Sequence, residues 1–180
     1  MIIKVCGIKS SENIAFLSKA DINMVGLNFY KPSVRDISND VEPEIFDAFP
    51  PSVKRVGIFV NEDPETVYRK SKEFKLDFAQ LHGDEPVEYC YEVAMHVPII
   101  KVFRIDENFD FKGIDKFTMA SYYLFDTHTR NYGGSGKKFN WENLFNYDGQ
   151  LPFLLSGGIG PHDYETILEL SHPQFVGIDI

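Results

Sequence analysis

Side chains able to give, take or hold a proton recur along this chain, each just past a short apolar run. Cys6 follows "IIKV", Gln80 and His82 close "DFAQLHG", Arg104 lies in "IIKVFRI", Asp126 ends "YYLFD" and Asp179 sits in "QFVGIDI". Two further runs are followed by "NFYKPSVR", which carries Arg35, and by Ser156-Gly157-Gly158. If the runs are parallel strands, five or six polar groups converge on one mouth. "GGSG" at 133–136, with Gly134 and Ser135, and "SGG" at 156–158 let backbone N–H groups approach an anion, because glycine adds no side chain and accepts unusual φ/ψ. Each residue alone has a plainer reading. Cys6 is then a small apolar filler, Asp126 a loop cap, and His82 a turn former before Gly83-Asp84. Arg35 and Arg104 are then solvated or paired at the surface, and Asp179 is an ordinary terminal carboxylate. The coincidence of positions carries more weight than any one residue.

The elements that must bring them together alternate. Strand candidates are "IIKVCG", "MVGLNF", "VKRVGIFV", "DFAQLHG", "IIKVFRI", "YYLFD", "PFLLSGG" and "QFVGIDI", several of them continuous apolar runs suited to a parallel sheet buried on both faces. Ser10-Ser11 can cap a helix through "ENIAFLSK", and Pro64 stands at the first turn of "ETVYRKSKEF". "PVEYCYEVAMH" and "DYETILEL" show helical spacing, with acids near their starts. Eight strands with room for helices in the seven gaps predict an α/β fold, a (β/α)8 TIM barrel occupying residues 1–180 as one domain, with a doubly wound sheet as rival. Strand eight ends at Ile180, so the barrel is expected to lack its last helix, and 180 residues fall below the ~200 to 250 usual for the fold.

Composition narrows the partners. A net charge of -9, with lysine and arginine scattered, argues against nucleic acid. An anionic ligand must then be captured locally, by a few arginines and oriented amides. Two cysteines, Cys6 and Cys90, form no disulfide framework, and no cluster has metal spacing, so no metal is expected. No apolar stretch approaches the ~20 residues of a membrane helix. "MIIKVCGI" is too short and too soon charged for a secretory signal. A reducing cytoplasmic setting is expected.

Taken in order, "KVCGI", "FYKPSVR", "QLHGDE", "KVFR", "FDTHTRNYGGSGKKFNW" and "LLSGGI" resemble the phosphoribosylanthranilate isomerase family of tryptophan biosynthesis, from Met1 to Ile180. The resemblance implies an Amadori rearrangement, the aldose–ketose isomerisation of N-(5-phosphoribosyl)anthranilate to 1-(2-carboxyphenylamino)-1-deoxyribulose 5-phosphate, without metal or organic cofactor. It implies Asp126 as general acid and Cys6 as general base. Arg35 would hold the anthranilate carboxylate, Gln80, His82 and Arg104 would line the pocket, and Asp179 would face a sugar hydroxyl. Gly134, Ser135, Gly157 and Gly158 would contact phosphate. Asp126 must then be raised from the ordinary ~3.9 and Cys6 lowered from ~8.5, with Lys4 and Arg104 as candidate sources of positive field.

The family pattern continues past "GIDI" with a phosphate loop and a last helix. Their absence from this sequence predicts weak activity or marginal stability, and gives the alternative reading, a phosphate-ligand-binding barrel no longer fully catalytic. A metal-dependent pentose-phosphate epimerase lacks support, because the strand ends lack its histidines and acids. Indole-glycerol-phosphate synthase needs lysine and glutamate where this chain has Cys6 and Asp126. A monomer and a homodimer are both compatible with the sequence.

Overall fold

The structure, a computed structural model, describes residues 1–38, 41–127 and 140–180. Eight strands form a closed barrel in sequential order, every neighbouring pair parallel. They are β1 (Ile2–Cys6), β2 (Met24–Asn28), β3 (Lys54–Phe59), β4 (Phe78–Leu81), β5 (Ile99–Ile105), β6 (Tyr122–Thr127), β7 (Phe153–Leu155) and β8 (Phe175–Asp179). The rival open sheet is excluded, because β8 pairs with β1 and sets Lys4 beside Asp179.

Four gaps hold α-helices: α1 (Ser11–Leu17), α2 (Pro64–Glu73), α3 (Val87–Ala94) and α4 (Tyr164–Glu169). Local chemistry explains their starts. The Ser10 hydroxyl accepts from the Asn13 N–H, the Asp63 carboxylate caps α2 from the Thr66 N–H, and Pro64 fills the first turn of α2 without losing a bond. The other three gaps carry 3₁₀ turns at Pro43–Ala48, Phe111–Ile114 and Trp141–Asn146. These turns lay Phe46, Phe111, Leu144 and Trp141 onto the outer face of the sheet. Beside β5, β6 and β7 the cover is aromatic: Phe111, Phe125, Tyr147 and Phe153 meet mostly edge-on, with Phe125 and Phe153 ring centroids 4.8 Å apart.

Inside the barrel, Met24, Val56, Ile100, Val102, Leu124 and Leu154 form a separate core, joined by Ile2, Phe78, Tyr122 and Val176. The two-sided burial expected of parallel strands is thus met by two cores, one within the barrel and one beneath its helices and turns. No helix among the described residues is long and apolar enough to cross a membrane.

Candidate active site

Side chains alternate along a strand, so those in phase with the inner core point inward. Lys4 and Cys6 follow Ile2, Gln80 and His82 follow Phe78, Arg104 follows Val102 and Asp126 follows Leu124. All lie toward the carboxyl ends of their strands, where barrel chemistry is built. These side chains therefore lie at one end of the barrel, in phase with its interior.

Its floor is an ion pair. Lys4 is wholly buried, and its Nζ lies 2.8 Å from Asp179 Oδ2. The contact is an ionic approach rather than a well-directed hydrogen bond. Asp179 Oδ1 is buried and has no hydrogen-bond partner among the described residues. Burial pulls the Lys4 pKa down, but the negative charges of Asp179, Cys6 and Asp126 outweigh it and the net shift is upward. Lys4 thus feels both the thiol on β1 and the carboxyl on β6, which places the two in one electrostatic neighbourhood.

Cys6 stands above this pair, half-buried at the end of β1. Its neighbour on β2 is Gly26, where an added Cβ would stand 3.1 Å from Cys6 Sγ and 3.1 Å from Lys4 Nζ. The thiol and the ammonium are therefore no more than about twice that distance apart, with room left for both by the missing side chain. Burial pushes the Cys6 thiol up, Lys4 pulls it down, Asp179 pushes it up, and Arg35 pulls it down by charge and by a hydrogen bond. The net direction is upward. The expected positive field is present, but desolvation exceeds it. The guanidinium contributing to that field is Arg35, whereas Arg104 pairs with Asp84.

A polar relay reaches Asp126 from β4. Gln80 Nε2 lies 3.3 Å from His82 Nδ1, and His82 Nε2 lies 3.2 Å from Asp126 Oδ2. With the amide donating to Nδ1, the ring carries its proton on Nε2 and donates to the carboxylate. Asp126 Oδ1 accepts the Thr127 N–H at 2.8 Å. Gly157, at φ +95°, packs against the same carboxylate. A Cβ there would come 2.2 Å from Thr127 Oγ1 and 2.9 Å from Asp126 Oδ1. Gly158 follows at φ +72°, so both glycines of "SGG" occupy backbone that side-chain-bearing residues rarely adopt.

Arg35 lies in the loop after β2, exposed, with its stem folded over Gly7. A Cβ on Gly7 would meet Arg35 Cδ at 2.7 Å. Gly7 holds φ +84°, so the chain turns off β1 where this arginine crosses. Gln80, His82, Arg104, Asp126 and Asp179 thus gather around the same mouth, with Arg35 at its rim. Asp179 points to Lys4 through one oxygen and leaves the other unpaired. Gly134 and Ser135 lie outside the described residues. Cys90, mid-helix in α3, is buried against the core and its thiol is pushed up to about 11 by burial, in keeping with its reading as filler.

One supporting network was not legible beforehand. Lys101 Nζ and Glu85 Oε2 meet at 2.6 Å, both side chains nearly inaccessible, behind the loop that carries His82. Lys101 also donates to the Gly83 carbonyl at 3.0 Å, while Glu85 Oε1 accepts the Asn61 and Gly83 N–H groups at 2.9 Å each. "QLHGDE" contains the acid, but its partner lies on the next strand, beyond any local pattern. Among the described residues, no group of three or more His, Cys, Asp or Glu is arranged to hold a metal ion.

A model of the N-(5'-phosphoribosyl)anthranilate isomerase family matches residues 3–180. The isomerase of Parabacteroides distasonis is 42% identical over 183 residues, spanning 100% of this chain and 83% of its own length. A crystal structure of mutually generated monomers of the dimeric isomerase from Thermotoga maritima superposes with TM-score 0.84 at 29% identity, covering 100% of this chain and 87% of that one. An isomerase in complex with reduced 1-(o-carboxyphenylamino)-1-deoxyribulose 5-phosphate superposes with TM-score 0.83 at 30% identity, with coverage of 100% and 87%.

Proposed function

The chain belongs to the N-(5'-phosphoribosyl)anthranilate isomerase family, and on that premise we propose how its own residues carry the family's reaction. The reaction is the isomerisation of N-(5'-phosphoribosyl)anthranilate to 1-(2-carboxyphenylamino)-1-deoxyribulose 5-phosphate in tryptophan biosynthesis. Asp126 is the general acid. Its carboxyl gives a proton to the furanose ring oxygen as the C1'–O bond breaks, and the anilino nitrogen supplies the electron pair that forms the iminium. Cys6 is the general base. Its thiolate removes the proton from C2', the electrons flow into the iminium, and the resulting enolamine tautomerises to the ketone.

The observation that carries this reading is placement: Cys6 and Asp126 lie at the carboxyl ends of β1 and β6, both in phase with the inner core, with the buried Lys4 ammonium on that same inner face. The relay supports the acid. With the proton on Asp126, the carboxyl O–H donates to His82 Nε2, and His82 Nδ1–H then needs an acceptor. Gln80 Oε1, buried and unpartnered in the other tautomer, supplies one. The raised thiol runs against the lowered value a resting thiolate would need, so the base role places the cost in forming the thiolate. A thiolate that is costly to form binds the C2' proton strongly, and the cationic iminium makes that proton easier to lose.

Arg35 suits a planar carboxylate, which a guanidinium grips through two parallel N–H bonds, and we assign it the anthranilate end. Gly157 and Gly158 offer their N–H groups to the phosphate; Gly134 and Ser135 remain assigned to it by resemblance. Gln80, His82 and Arg104 line the substrate, and Asp179 receives a sugar hydroxyl at its free oxygen. We place the enzyme in the cytoplasm, acting without a cofactor, because the iminium is itself the electron sink. Residues 1–180 are assigned to one isomerase domain. The Thermotoga maritima relative is described both as a dimer and as derived monomers, so each quaternary state open to this sequence has a precedent.

The test follows loss of the anthranilate fluorescence of the substrate with the wild-type chain and with Cys6→Ser and Asp126→Asn. Turnover by the wild type, reduced by about 10²-fold or more in each variant, is expected from the usual worth of positioned acid–base groups. Unchanged turnover in both variants ends the assignment of the two residues. No turnover by the wild type favours the non-catalytic binding alternative.

A further inference from the structure

Inside the barrel, beneath the mouth, a lysine and an aspartate face each other almost out of reach of water. A pair serving only to fasten β8 to β1 is replaceable by apolar side chains of similar size, often with a gain in stability. Fastening is also supplied by the backbone, since the Cys6 N–H donates to the Ile180 carbonyl at 2.8 Å and the Ile180 N–H to the Lys4 carbonyl at 3.0 Å. A purely structural pair would be expected to satisfy both carboxylate oxygens, yet Asp179 Oδ1 has no partner among the described residues. What the pair does have is position. Lys4 Nζ and Cys6 Sγ are equally close to the space left by Gly26.

We propose that the buried Lys4–Asp179 pair sets the protonation state of Cys6, the Lys4 ammonium stabilising the thiolate and the Asp179 carboxylate opposing it. Lys4 and Asp179 are positioning residues in this role, acting through the thiol. Among the described residues, the other charged groups felt by the ammonium or the thiol are Arg35 and Asp126. Arg35, from the loop after β2, adds to Lys4 at the thiol, and Asp126 on β6 adds to Asp179 at the ammonium. His82 and Gln80 on β4 engage Asp126. Gly26 on β2 and Ile58 on β3 fill the remaining wall without charge. Because Lys4 and Asp179 act with opposite sign on one sulfur, a change at either partner moves the thiol, in opposite directions. The proposal deepens the assignment of Cys6 as base and rests on it for its catalytic meaning.

The experiment titrates Cys6 without asking for turnover. In a Cys90→Ala background, thiolate absorbance near 240 nm and the rate of alkylation by iodoacetamide are followed against pH. Lys4→Met is expected to move the Cys6 midpoint upward, lowering the alkylation rate at pH 7 by about tenfold for each unit. Asp179→Asn is expected to move it downward by a comparable amount. The double variant Lys4→Met/Asp179→Asn, neutral and similar in volume, is expected to return close to the wild-type midpoint, and it keeps the test open if Lys4→Met alone does not fold. Shifts of the same sign, no shift in Asp179→Asn, or a double variant displaced as far as Lys4→Met would each overturn the proposal. Opposed shifts together with full turnover in Cys6→Ser would leave the electrostatic claim standing and remove only the base assignment.

Discussion

Replacing Glu85 by glutamine tests whether the loop carrying His82 is held by a buried charge. In the native chain Glu85 Oε2 lies 2.6 Å from Lys101 Nζ, with the two side chains 2% and 3% exposed. Glu85→Gln keeps Oε1 and its bonds from the Asn61 and Gly83 N–H groups. It places an amide NH2 against the ammonium, however, and leaves that charge with only the Leu81 and Gly83 carbonyls. Removing one partner of a buried pair costs about 3–5 kcal/mol, a large share of a total stability of about 5–15 kcal/mol. At about 2–4 °C per kcal/mol for a chain of this size, Tm falls by roughly 6 °C or more. Lys101→Met leaves the carboxylate its two backbone donors and is destabilising too, whereas the double variant Glu85→Gln/Lys101→Met loses less than the sum. Urea unfolding of the four proteins measures the coupling. Additive losses, or a Glu85→Gln midpoint equal to the wild type, would refute the reasoning.

Two further outcomes follow from the mouth itself. Gly157→Ala forces a side-chain-bearing residue to φ +95° and drives its Cβ into Thr127 and Asp126, so kcat/KM falls at least tenfold while stability drops by about 1–3 kcal/mol; wild-type kinetics would contradict the packing described. With Cys6 as the proposed base and its thiol shifted upward, kcat/KM is expected to rise with pH, the rising limb lying above the ordinary thiol value of ~8.5; a rate already on its plateau at pH 6 would show a base other than this thiol.

The eight strands were legible because each is a short apolar run ended by a polar or glycine residue, and parallel pairing buries such runs on both faces. The four stretches with helical spacing all form helices, while the other three gaps, where "PEIFDA", "FKGI" and "WENLFN" are too short to sustain a helical stripe, close as 3₁₀ turns. Most candidate site residues were found for a single reason, their place at strand ends. Lys4 reads locally as one charge in "IIKVC", and its complete burial follows only from barrel closure, which brings Asp179 from the far end of the chain. The same holds for Glu85 and Lys101. Local pattern announces a strand and where it ends, while the charges that tune the site are paired across strands by the closed sheet.

The central claim is that Cys6 and Asp126 face one sugar from two sides. A crystal structure of this chain with the reduced product analogue tests it most directly. The account predicts the ribulose carbons lying between Sγ and the Asp126 carboxyl, the anthranilate carboxylate on Arg35, and the phosphate at the Gly157 and Gly158 amides. A ligand bound with either Cys6 or Asp126 out of contact with the sugar would contradict it.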